Sequence, residues 1–304
     1  MKNVEQNIFL MTDYKSFIIV ATFFSLWIAV FFSYEVENFL AYILILSFGI
    51  IHGSNDLKLV ERKYVNLKKS FFVKILSIYV LFVLGTSVIF YFFPMIALTL
   101  FVLFSAYHFG EEHLSNTIKR INVMAPFIYL SHGLLLFSII FYTNYSSVST
   151  IIKEITGVDI PYIFFRNFFY ISLSLTVTSF LLHLKAKTFT LLKVIEESFY
   201  LLILYVIFRT ASLIWSFAIY FVFWHSIPSL IRQVNYLYGN YKLSSFREYL
   251  RSSFVYWLIS IIGLGVIYFL FSKNQTYFTP ILFILLACIT FPHVWIISRL
   301  DKDY

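Results

Sequence analysis

The stretch Ile50-Ile51-His52-Gly53-Ser54-Asn55-Asp56 ends a long apolar run with an imidazole, a glycine and a carboxylate. Similar endings recur: residues 107–113 and 224–226 each close an apolar run with a histidine, and Phe291-Pro292-His293 lies late in another. Ionisable side chains are costly inside a bilayer and usually face the interior of a helix bundle. The pattern therefore predicts that histidines from several helices meet.

The composition indicates a membrane protein. The 304-residue chain is 60% hydrophobic and 12% charged, against about 45–50% and about 25% in an ordinary globular protein. Apolar windows long enough to span a bilayer, which takes about 20 residues, recur along the whole length. We expect an all-α polytopic transmembrane bundle forming one integral membrane domain over residues 1–304, with a core at about 16–298. The single cysteine, Cys288, excludes an intramolecular disulfide.

The apolar runs and the basic residues together predict a topology. The expected spans are 16–33, 37–53, 71–92, 94–110, 122–142, 161–183, 190–208, 211–229, 253–272 and 279–298. With the N-terminus inside, all but four of the 23 Lys and Arg residues fall on the inner side; the exceptions are Lys153, Arg166, Arg209 and Lys273. The positive-inside rule favours ten helices with both termini cytoplasmic. The net charge of +8 thus reflects orientation, and no nucleic-acid partner is expected.

This topology places five histidines in the cytoplasmic half of the membrane. His52, His108, His225 and His293 lie toward the inner ends of even-numbered spans, and His132 lies early in the fifth span. A set of neutral imidazoles suits Fe, Zn or Cu and leaves open positions on the metal. The alternative is that each histidine bonds a backbone carbonyl or caps a helix. Among the other histidines, we expect His113 in a solvated loop and His183 at the interface.

Two carboxylates are placed to orient such ligands. Asp56 and Glu111 lie about one turn from His52 and His108, and each could accept the distal N–H of a ligating imidazole, which fixes its tautomer. The alternative is pairing with Lys or Arg at the cytoplasmic face, which the sequence favours for Glu112.

Taken in order, these motifs resemble the Brp/Blh-type membrane β-carotene 15,15′-dioxygenases, related to the bacteriorhodopsin-related protein. The resemblance runs from about residue 40 to 298 and is carried by His52-Gly53-x-x-Asp56, His108-Phe109-Gly110, His132-Gly133, His225-Ser226 and Pro292-His293. It implies an iron(II) enzyme that cleaves β-carotene, or a related carotenoid, at its central double bond with O2 to give two molecules of retinal. We expect a multi-pass protein of the bacterial inner membrane.

The family pattern also implies ligands, with one departure. It makes His52, His108 and His225 iron ligands. Many members continue the last of these motifs as His-x-x-x-His, whereas this chain has Ser229 four residues after His225. Serine is a poor Fe(II) ligand, so we expect His293 to complete the set, with His132 as the alternative.

Aromatic residues beside the proposed ligands could line a channel for the polyene. Tyr107, Phe109, Phe223 and Trp224 adjoin His108 and His225 in the sequence and are the candidates. For each of them, packing at a lipid-facing position is an equal alternative. The expected partners are a lipid-soluble carotenoid, O2 and the bilayer.

Other classes of function remain open from the sequence. A transporter or proton-coupled carrier would use the histidines to relay protons. A membrane haem protein would use two of them as axial ligands. A non-catalytic partner in retinal or rhodopsin biogenesis would need neither proton relay nor haem ligation. Bound iron favours the enzyme, and its absence favours the carrier.

Overall fold

A computed structural model describes residues 2–64, 69–115, 117–118, 122–271 and 278–300, with side chains except those of residues 2–14, 69, 270 and 271. Throughout these ranges the regular structure is helical, as predicted. The helices are α1 (Lys2–Phe31), α2 (Tyr34–Leu44), a π-helical segment (Ile45–Gly49), α3 (Asp56–Lys63), α4 (Lys69–Phe92), α5 (Pro94–Leu114), α6 (Ala125–Thr143), α7 (Tyr145–Thr156), α8 (Tyr162–Lys185), α9 (Leu191–Thr210), α10 (Leu213–Ala218), a second π-helical segment (Ile219–Ser226), α11 (Ile227–Tyr238), α12 (Leu243–Phe271) and α13 (Phe278–Leu300).

Within the described residues, seven helices are long and apolar enough to cross a membrane: Ser70–Phe92, Pro94–Leu114, Ala125–Thr143, Tyr162–Lys185, Leu213–Tyr238, Leu243–Phe269 and Phe278–Leu300. A shorter apolar helix covers Lys15–Phe31. These helices confirm an all-helical protein suited to a membrane. The count of ten spans and the cytoplasmic termini stay predictions, and Lys273 and the end of the span at 272 lie outside the described residues.

The helix Leu213–Tyr238, which runs through α10, the second π segment and α11, lies at the centre of the bundle. Its most apolar window is 83% buried, against 11% for Leu243–Phe269. The sequence predicted a break at residues 209–210; α9 instead continues to Thr210, and the Ser212 hydroxyl caps α10 by accepting from the Trp215 N–H (3.3 Å). This central helix brings His225 into the interior.

Two glycines let α5 and α6 pack backbone against backbone. These helices make the most extensive contact among the described elements. A β-carbon added at Gly110 would collide with the Tyr129 carbonyl group, and one at Gly133 would collide with the Ala106 carbonyl group. Small residues at such contacts allow close helix approach in membranes. The His-Phe-Gly and His-Gly motifs are therefore also packing motifs.

Residues 50–56 end a continuous helix, as the predicted span over 37–53 requires: α2 and the first π segment run on without a break to Ile51, and a turn at residues 52–55 precedes α3. The first π segment ends at Gly49, and α3 begins at Asp56. Polar side chains satisfy the turn: Asn55 Nδ2 donates to the Tyr249 carbonyl oxygen (3.1 Å), and the Ser252 hydroxyl donates to Asn55 Oδ1 (2.9 Å). The Tyr249 hydroxyl lies 3.1 Å from the His52 carbonyl oxygen. Such partners are what buried irregular backbone requires, and they fix the position of His52.

Candidate metal centre

Four buried imidazoles, those of His52, His108, His225 and His293, form a ring that we call the four-histidine cluster. Ring centroids lie 5.2 Å apart for His52–His225, 5.0 Å for His52–His293, 4.9 Å for His108–His225 and 5.3 Å for His108–His293. In His52, His225 and His293, one ring nitrogen from each lies within 4.8 Å of the others. Each ring is at most 5% exposed. Residues separated by up to 241 positions thus meet, as the helix-end pattern predicted.

The two π segments hold two of these rings. His52 follows the first, and its Nδ1–H donates to the Gly49 carbonyl oxygen at 2.6 Å. His225 lies in the second. The segments touch at Gly49, where an added β-carbon would come within 2.6 Å of the Phe221 ring. Single π turns inside α-helices occur frequently at functional sites.

His293 is oriented by a carboxylate from another helix. Its Nδ1–H donates to Asp56 Oδ1 at 2.8 Å, and both side chains are buried. The sequence predicted that Asp56 would accept a hydrogen bond from His52; Asp56 instead accepts one from His293, and His52 bonds a backbone carbonyl. The Tyr79 hydroxyl donates to the other oxygen of Asp56 at 3.5 Å. Asp56 therefore fixes the tautomer of His293 with Nε2 as the acceptor.

The cluster has the chemistry of a metal site. Among the described residues, His225 Nδ1 and His293 Nε2 are buried and have no hydrogen-bond partner. A buried nitrogen left unsatisfied costs about 1–3 kcal/mol, and a metal ion between the rings would remove that cost. Imidazole nitrogens suit Fe, Zn, Cu or Ni, so these residues fit such an ion.

His132 lies in a second group of side chains. Its ring stacks on that of His113 (centroids 5.0 Å apart, planes 11° apart), and His113 Nε2 bonds Glu197 Oε2 at 2.7 Å. Lys193 Nζ lies 2.7 Å from the other oxygen of Glu197. His132 therefore groups with His113 and Glu197, which argues for His293 over His132 as the fourth ligand.

Four further expectations concern polar residues on these helices. His113 is not in a solvated loop, because α5 continues to Leu114 and packs it beside Glu197. His183 lies in the last turn of α8 and is buried, and its Nδ1 bonds the Thr188 hydroxyl at 2.7 Å; its position at the membrane interface stays a prediction. Glu112 pairs with Arg232, as the sequence favoured. Glu111, the second expected orienting carboxylate, accepts a hydrogen bond from the Tyr107 hydroxyl at 3.4 Å.

Of the four candidate channel aromatics, Phe109 lies beside the four-histidine cluster, with its ring centroid 4.5 Å from that of His225. Tyr107 packs on Tyr129, and Phe223 is partly buried against the main core. Trp224 faces the second histidine group: it packs on His113 and donates from Nε1 to the Thr22 hydroxyl at 3.0 Å.

Phe221 was missed by the sequence reasoning. Its ring stacks on His225 (5.9 Å, 14°) and lies 5.6 Å from the His52 ring. Its position four residues before His225, one helical turn away, was the available signal.

An apolar cavity of about 220 Å³ lies between α5, α6, α7 and α8 and reaches Phe217 of α10 and Phe283 of α13. Its wall is almost entirely apolar, and the four candidate channel aromatics are not part of it. Two residues of its wall contact aromatic rings that pack on the histidines: Phe137 stacks on Phe109 (5.6 Å) and Phe217 stacks on Phe221 (5.2 Å).

Fold and site together define an all-helical, membrane-type protein with a buried histidine cluster able to hold a metal ion. The family model described as beta-carotene 15,15'-dioxygenase matches residues 43–301. The chain therefore belongs to the beta-carotene 15,15'-dioxygenase family, which confirms the resemblance seen in the motifs. No curated protein and no solved structure matches it.

Replacing Asp56 with Asn should weaken metal binding about 10- to 100-fold, since loss of an orienting partner costs a metal site that much. The amide keeps the size of the carboxylate but not its charge. Metal titration of the purified protein measures the effect. Tyr79→Phe, which removes only the longer hydrogen bond to Asp56, is the matched control and should bind metal nearly as the parent does. Equal affinity in the parent and Asp56→Asn would contradict the positioning role.

Proposed function

We propose that this protein cleaves β-carotene at its central double bond within the membrane, in an iron(II)- and O2-dependent reaction that gives two molecules of retinal. The observation that carries the proposal is the four-histidine cluster, in which His108 packs on the group formed by His52, His225 and His293, in a chain that belongs to the beta-carotene 15,15'-dioxygenase family. The reaction balances without a further reductant, because the carbon–carbon double bond breaks and each oxygen atom of O2 becomes the carbonyl oxygen of one aldehyde.

The ligand set of the cluster suits iron(II). Four neutral imidazoles bring no negative charge and leave coordination positions open. Iron, when bound, would supply the activation of O2. His52, His108, His225 and His293 would hold it.

The other residues of the site would orient the histidines and shield the reacting double bond from water. Asp56 would fix the His293 tautomer, as its 2.8 Å contact supports. The Phe109 and Phe221 rings pack against His225 and would keep water from the reacting double bond. A carotenoid dissolved in the bilayer would enter from the side between helices. We place the protein in the bacterial inner membrane, with both termini and the cluster toward the cytoplasm.

Expression in a carotene-producing bacterium tests this function. We expect the cells to lose colour and accumulate retinal, and the purified protein to contain about one iron per chain. A bacterium that carries the empty vector is the control. Unchanged carotene together with metal-free protein would favour a carrier. Iron-loaded protein without any retinoid product would contradict carotenoid cleavage, and a Soret absorption band would identify haem instead.

A further inference from the structure

The apolar cavity has a size and lining suited to a hydrocarbon ring. Its volume is about 220 Å³, and an apolar cavity of about 150 Å³ is enough to bind benzene. The wall is formed by side chains such as Leu98, Val102, Leu134 and Phe168. A ligand there would gain burial free energy but would find few polar partners.

The cavity also communicates with the outside of the bundle. Leu103 and Phe164 both belong to its wall, and they are 41% and 51% exposed. On a membrane-type helix bundle, side chains exposed at this level contact lipid. At Leu103 and Phe164 the cavity wall therefore faces the phase in which a carotenoid dissolves.

Two helices that line the cavity, α5 and α13, also carry histidines of the four-histidine cluster. Leu98 precedes His108 by ten residues on α5, and Phe283 precedes His293 by ten residues on α13. At 1.5 Å per residue, Leu98 and Phe283 lie about 15 Å along their helices from the histidines, and the whole α5 wall, from Met95 to Leu103, lies between about 20 and about 7 Å from His108. Half of a carotenoid, from its central double bond to its terminal ring, spans a comparable length.

Two stacked aromatic pairs connect the cavity wall with the rings that contact the cluster. Phe137 and Phe217 belong to the cavity wall, and they stack on Phe109 and Phe221, which contact His225. Flat rings of this kind present the surface that a conjugated polyene packs against.

We propose that this cavity binds the terminal ring of a carotenoid entering from the lipid, and that its distance from the histidines sets cleavage at the central double bond. The proposal rests on the proposed function and adds to it the subsite that determines where the polyene is cut. Phe109, Phe137, Phe217 and Phe221 guide the chain between ring and metal. Of the four aromatics that the sequence suggested for the channel, Phe109 keeps that role.

Large side chains placed in the cavity test the proposal. Val102→Trp fills the interior, and Thr99→Trp narrows the opening at a side chain that is already exposed, so it does not overpack the bundle. Ile96→Trp is the matched control, because Ile96 lies on the same helix, is 55% exposed and is not part of the wall. The readouts are retinal yield in the carotene-producing host, iron per chain, and β-carotene retained by purified His52→Ala protein carrying each substitution.

Both cavity variants should lower retinal yield at least about tenfold, the scale on which a pocket discriminates by size, while iron content and protein level stay within about twofold of the control. In the His52→Ala background, β-carotene should be retained with Ile96→Trp and lost with Val102→Trp and Thr99→Trp. Undiminished retinal yield from Val102→Trp and Thr99→Trp would overturn the subsite and leave the function standing, and would assign the cavity to a lipid acyl chain. Carotenoid retention lost in both variants, in a protein that forms no retinal at all, would support the subsite and reject the function.

Discussion

Replacing His293 with alanine should reduce retinal formation to background, at least about 100-fold, as should alanine at His52, His108 or His225. Each ring closes one side of the cluster, and loss even of a residue that only orients a ligand costs 10- to 100-fold. Retinal is measured in the carotene-producing host and iron in the purified protein. His132→Ala is the matched control, because its ring stacks on His113 outside the ring of four, and it should keep its iron.

A second substitution makes the test of His293 sharper. Ser229 lies one turn after His225 on the same helix, is buried, and accepts a hydrogen bond from Gln233 Nε2 at 3.3 Å. If His293 replaces, as a metal ligand, the histidine that the family pattern has at this position, Ser229→His should restore part of the iron content to His293→Ala protein. Full activity of His293→Ala together with loss in His132→Ala would reverse the assignment.

Alanine at Gly110 or Gly133 should prevent α5 and α6 from packing and cost about 3 kcal/mol or more of stability. Each added methyl group would collide with a backbone carbonyl group of the facing helix, which cannot rotate away as a side chain could. We expect low protein levels in the membrane and a lowered unfolding temperature in detergent.

Matched controls for these glycines lie in the same chain. A β-carbon at Gly85 in α4 or Gly263 in α12 meets nothing within 4 Å, so Gly85→Ala and Gly263→Ala should be neutral or stabilising by up to about 1 kcal/mol through helix propensity. Unchanged stability in Gly110→Ala would show that the two helices can separate without cost.

Helix-end histidines and apolar runs were enough to predict an all-helical protein in which four histidines meet, because both signals are local in the sequence. The hydrogen-bond partner of Asp56, by contrast, is distant in the sequence. Helical spacing suggested His52, four residues earlier, but the helix ends at Ile51 and a turn at residues 52–55 precedes Asp56, so the carboxylate turns toward His293 on α13. The tertiary contact between α3 and α13 decides this pairing, and no periodicity within one segment reports it.

The candidate channel aromatics were chosen as sequence neighbours of histidines, which is a poor guide to the side chains that contact them. Sequence neighbours of a helical histidine lie about 100° away around the helix axis for each residue, so Phe223 and Trp224 point away from the face that carries His225. Phe221, one turn earlier, shares that face and contacts both His225 and His52. The cavity is formed mainly by α5, α6, α7 and α8, of which only α5 carries candidate channel aromatics. Its position therefore depends on how these helices pack.

The two π segments have a consequence for the geometry of this site. A π turn contains one residue more than the α-helical turn it replaces, so it accommodates the extra residue without turning the residues that follow. If Ile219–Ser226 kept all its residues but formed α-helical hydrogen bonds, the extra residue would rotate the His225 imidazole by about 100° relative to α10. The same holds for Ile45–Gly49 and His52. The geometry of the cluster thus depends on the π hydrogen-bonding pattern of these two segments as well as on the identity of their residues.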